Sequence, residues 1–207
     1  MRKERVLGAI LGVMGLLTVP IVLLNLLGGT VSGVWLLILG EWWALAYGLS
    51  LLVFSLLGLA LAMLPGLLLT LPAAYFHSRG YRFPVYICAL LTNLYPSALM
   101  TMWCVWVLSV YLERADKRSF LPLLLWSYAT ATGPWTYLAS KDRNSPASII
   151  AATAAQIGYI VMMLLAVFSK ATLMDLATAF GMVMLLALLL QFAVAILTGP
   201  ERRKAPV

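Results

Sequence analysis

Apolar residues run through this chain in long unbroken stretches. They show neither the alternation of strands nor the repeating polar face of a water-exposed helix. A helix rises about 1.5 Å per residue, so about 20 apolar residues cross a bilayer core. Spans are predicted at 6–27, 45–76, 84–112, 119–140, 147–168 and 172–198. A membrane barrel would instead need short segments of alternating polarity. The fold expected is an all-α integral membrane protein. It is a single transmembrane domain over 1–207, a six-helix bundle with a short interfacial or re-entrant outer segment.

That segment is Gly28 to Trp43. Its apolar part is too short to cross and too greasy for water. Trp35, Glu41 and Trp42 mark it, and tryptophan favours the membrane interface. It reads either as a surface helix or as a lid, with Glu41 meeting a cationic or hydroxylated ligand.

Charge then sets the orientation. With six spans and the N-terminus inside, ten Lys and Arg fall on the cytoplasmic side and four outside; a seventh span would give seven against seven. The positive-inside rule selects six spans with both ends cytoplasmic, in a membrane such as the bacterial inner membrane. The net charge of +7 is concentrated on that rim, where anionic lipid accounts for it. Basic residues do not interleave with aromatics, so nucleic acid is not an expected partner. The tail Glu201 to Lys204 reads as an anchor or a docking point. The N-terminal run is too long for a signal peptide core and is read as a retained anchor.

Composition narrows the chemistry. Mean hydropathy is +0.99, and no Lys, Arg, Asp, Glu or His falls in the middle of a predicted span. Ion-coupled pumps place such groups inside the bundle. Cys88 and Cys104 lie 16 residues apart on one predicted helix. That is about 24 Å, too far for a disulfide. One histidine, His77, cannot build a histidine-based metal or haem site. Neither a Walker A motif nor a catalytic pair is present, so no catalytic residue, cofactor or metal is assigned.

Three polar features remain. Asn93, Tyr95 and Ser97 flank Pro96, and Tyr128, Thr130 and Thr132 precede Pro134. A proline frees a carbonyl one turn back, which nearby hydroxyls or amides can satisfy. Such residues either repair a kink or begin a site at mid-depth. Gln156 falls near the middle of the fifth predicted span and needs a partner there. Small residues at four-residue spacing, Ala151/Ala155, Ala154/Gly158 and Gly8/Gly12 among them, permit close helix contact. Ser145 before Pro146 predicts a capped helix start.

Two functions compete. One is a non-catalytic subunit of a larger membrane complex, with membrane lipids and other membrane subunits as partners. The other is a transport protein for a small solute or lipid, with a site between the third to fifth spans beneath the tryptophan-rich segment. One version of the second resembles the substrate-capturing subunits of energy-coupling-factor vitamin importers in size, helix number and outer lid, an analogy at the level of fold. Their alanine-x-x-x-alanine signature is not in the first span, which carries Gly8-x-x-x-Gly12. An intramembrane enzyme, centred on Glu41 or Tyr128, is a third reading.

Overall fold

A computed structural model describes residues 2–141 and 145–198. The loop residues Asp142 to Asn144 and the tail Glu201 to Lys204 lie outside the described residues. All regular structure among the described residues is helical. The helices are α1 (Arg2–Leu23), a π turn (Leu24–Gly28), α2 (Gly29–Leu39), α3 (Trp42–Ala62), α4 (Leu64–Ser78), α5 (Arg82–Arg114), α6 (Phe120–Lys141), α7 (Pro146–Phe168) and α8 (Leu173–Thr198).

The apolar runs become helices because a helix satisfies its own backbone, the only economical solution where water is absent. Five stretches are long and apolar enough to cross a membrane: Gly8–Leu39, Trp42–Ser78, Arg82–Arg114, Pro146–Phe168 and Leu173–Leu197. The helix α6 is not among them. It carries Ser127, Tyr128, Thr130, Thr132 and Thr136, all buried. Instead it packs against α2, α3, α5, α7 and the π turn, and forms the centre of the bundle.

The outer surface has the reverse composition. Leu16, Leu68, Leu71 and Phe83 are each more than 70% exposed. Apolar outside and hydroxyl-rich inside is the arrangement a bilayer demands.

The first helix departs from expectation. The residues read as a separate outer segment continue α1 through the π turn and α2 as far as Leu39. Gly28, Gly29 and Gly33 are helical, and Gly29 and Gly33 serve as contact points where a loop was expected. A Cβ on Gly29 would stand 2.9 Å from the Ala129 Cβ, and one on Gly33 would stand 2.9 Å from the Trp126 ring. Close packing on α6 recovers what glycine loses in helix propensity. The chain turns only at Gly40, whose φ of 77° suits glycine, with Glu41 N–H donating to the Leu36 carbonyl at 2.9 Å.

Other boundaries reflect local chemistry. The second rod breaks at Met63, with Pro65 in the first turn of α4. Gly80, with φ 76°, turns α4 into α5. Ser145 caps α7 by accepting from the Ser148 amide at 3.4 Å. Before α6, Asp116 accepts from the Ser119 amide at 2.7 Å and the Ser119 hydroxyl at 2.5 Å. These donors, the Ser119 hydroxyl first, hold its carboxyl below the usual carboxylate range.

Candidate functional site

The mid-bundle polar residues meet at α6. Asn25, on the π turn, is flanked by exposed Leu24, Leu26 and Leu27, yet is itself 7% exposed. One residue added to a helix rotates every later position by about 100°. The wide turn lets Asn25 point inward while α2 keeps Gly29, Ser32, Gly33 and Leu36 buried.

Asn25 Oδ1 accepts from the Thr132 hydroxyl at 3.0 Å. Its Nδ2 reaches the Tyr128 hydroxyl at 3.5 Å and Thr136 Oγ1 at 3.4 Å. Both are longer than a normal N–H···O bond. Gln156 Nε2 donates to Thr136 Oγ1 at 2.7 Å, whereas buried Gln156 Oε1 has no partner. Ser127 bonds the Tyr159 hydroxyl, and the Tyr128 and Tyr159 rings meet edge to face. Three segments far apart in sequence, the π turn, α6 and α7, therefore share one buried network.

Of the residues singled out from sequence, Tyr128, Thr132 and Gln156 belong to this network. Thr130 is buried beside it, its hydroxyl donating to the Trp126 carbonyl at 2.8 Å. Asn93 and Ser97 bond within α5, to the Ala89 and Asn93 carbonyls, each at 2.8 Å. Tyr95 is 46% exposed. Trp35 and Trp42 are exposed on the bundle surface. Glu41 accepts from Trp43 Nε1 at 2.6 Å, and the Arg114 guanidinium stacks 4.9 Å above the Trp43 ring. These residues are not drawn into one site.

Two residues of the network, Asn25 and Thr136, also line a groove of about 810 Å³. Its walls are the first helix from Val22 to Leu37, Leu52 and Leu56 of α3, and α6 from Trp126 to Ser140. Val22 and Leu37 are 15 residues apart, about 22 Å along a helix. Leu26, Val34, Leu37, Leu56 and Tyr137 are all more than 40% exposed, so the groove opens along the flank of the bundle. None of its lining residues is charged.

Sequence reasoning overlooked Asn25 and Thr136. The signal for Asn25 was present, an amide set among leucines in the first apolar run. Placing the helix end at residue 27 put it beside the surface. Above the groove, Trp126 Nε1 and the Tyr111 hydroxyl both donate to the Ala44 carbonyl, at 3.0 and 3.1 Å. Gly48 gives these rings their room.

The architecture defines a class, an all-helical chain whose apolar helices suit a multi-pass membrane protein, with an uncharged polar centre. No family model, curated protein or solved structure matches it.

Proposed function

We propose that this chain is a lipid-handling membrane protein that takes an elongated apolar molecule into the groove between the first helix, α3 and α6. The groove carries this reading. About 810 Å³ lies within the range of small-molecule sites. Its opening runs along a surface of exposed leucine and valine, where a bilayer would present hydrocarbon chains directly. The uncharged interior suits such cargo and offers nothing to a coupling ion. In the expected setting the chain crosses a bacterial inner membrane six times, α6 included, with both ends cytoplasmic.

The subunit reading has its own support. Gly8, Gly12 and Gly15 have no neighbour within 4 Å of the position a Cβ would take. Gly29, Gly33, Gly48 and Gly158 are packed tightly. The face of α1 bearing the open glycines has the form of a contact for another membrane helix.

Photolabelling tests the lipid reading. In nanodiscs containing a phospholipid with a diazirine on its acyl chain, label should reach Asn25, Ala129 and Gly133, on the groove walls. Val34→Trp should block the groove and remove label there, while exposed Leu68 remains labelled. Equal labelling of the walls in both proteins would sink the reading.

A further inference from the structure

Building on the groove reading, we infer that the preferred cargo is an uncharged lipid whose polar group is a hydrogen-bond acceptor, a carbonyl oxygen above all, and that Asn25 is the residue that recognises it. The serine and threonine hydroxyls on the wall have their protons engaged, and the Tyr137 hydroxyl, free among the described residues, belongs to a side chain 55% exposed on the flank. Thr30 donates to the Leu26 carbonyl at 2.6 Å, Ser140 to the Tyr137 carbonyl at 2.7 Å and Thr136 to the Thr132 carbonyl at 3.1 Å. Thr136 Oγ1 also accepts the short bond from Gln156.

Asn25 differs. Its oxygen, 3.0 Å from the Thr132 hydroxyl, shares that proton with the Tyr128 carbonyl at 2.8 Å, and its two N–H groups reach only acceptors at 3.4 and 3.5 Å. A buried donor held at such distances gains from an acceptor at ordinary length. The residue is more than nine-tenths buried and lines the groove. The site thus offers donors to a molecule lying among apolar walls.

Charge selects further. A carboxylate or phosphate beside Asn25 would meet no Lys, Arg or His on the lining. An unpaired ion in an apolar setting is strongly disfavoured. A cation would likewise find no Asp or Glu there. A neutral carbonyl accepts from the amide without bringing a charge into the bundle. The π turn supplies the geometry, since it turns one amide inward between four outward leucines, Leu23, Leu24, Leu26 and Leu27.

The test compares three probes of equal chain length on the full chain in nanodiscs, at matched mole fractions in the bilayer: 2-hexadecanone, hexadecane and hexadecanoate. Affinities come from ligand-dependent thermal stabilisation. One hydrogen bond to a buried donor corresponds to roughly threefold to tenfold tighter binding of the ketone than of the hydrocarbon. Asn25→Leu should bring the two within twofold. Val34→Trp should weaken both. If wild type binds ketone and hydrocarbon equally, with Val34→Trp weakening both, the groove reading stands and the role of Asn25 is overturned. Tightest binding of hexadecanoate would overturn the preference for a neutral cargo. If no probe binds wild type, the groove reading fails as well. The wild-type comparison decides even if Asn25→Leu fails to fold.

Discussion

Gly48→Ala is expected to destabilise the bundle by about 2–4 kcal/mol, from overpacking and two weakened interhelical bonds. The added Cβ would overlap Trp126 Nε1, and would lie 2.7 Å from the Cε2 of that ring and 2.9 Å from the Tyr111 hydroxyl. Both rings are held by the Ala44 carbonyl one turn earlier. They would have to abandon that acceptor or push α3 away from α5 and α6. Gly58→Ala on the same helix is the control. No atom lies within 4 Å of its Cβ position, so it should be neutral or gain up to about 1 kcal/mol from helix propensity. Unfolding of both variants in mixed micelles checks the contrast. Equal stability would mean that the Trp126 indole does not rest on Gly48.

Thr136→Val is expected to cost about 1–3 kcal/mol, although the side chain keeps its shape. The hydroxyl is the acceptor for Gln156 Nε2 and one of two for Asn25 Nδ2. Its loss leaves the Gln156 amide, already without a partner at Oε1, wholly unsatisfied in a site with no exposure. Thr136→Ser should keep most of the stability. The double variant Thr136→Val/Gln156→Leu should recover part of the loss, because removing both partners costs less than orphaning one. A double variant less stable than Thr136→Val alone would show that Gln156 has another partner and that the network is misassigned.

Much of the architecture was legible in the chain, and the reasons are specific. The apolar stretches become helices because no other local structure satisfies a backbone out of water. Ser145 and Pro146 mark the start of α7 through capping chemistry that acts over four residues. Gln156 points to a buried contact because an amide in an apolar run must be paired. Long-range packing was less visible. The glycines at 29 and 33 resemble a loop until α6 lies against them. The hydroxyl run of α6 reads as a kinked span, whereas its packing against α2, α3, α5 and α7 makes it the polar centre. Asn25 was hidden because the predicted span ended at residue 27, whereas the helix continues through the π turn and α2 to Leu39 and places Asn25 well inside it. The groove was hidden likewise, since its walls, the first helix with Leu52 and Leu56 on one side and Trp126 to Ser140 on the other, are far apart in the chain.

The most direct test of the account is gentle extraction of the full chain from its native membrane, followed by mass spectrometry of the intact particle. The account predicts a bound lipid without net charge, retained by the wild-type chain and absent when Val34→Trp fills the groove. A particle that carries no lipid and holds a partner protein across the flank formed by the first helix, α3 and α6 would contradict it.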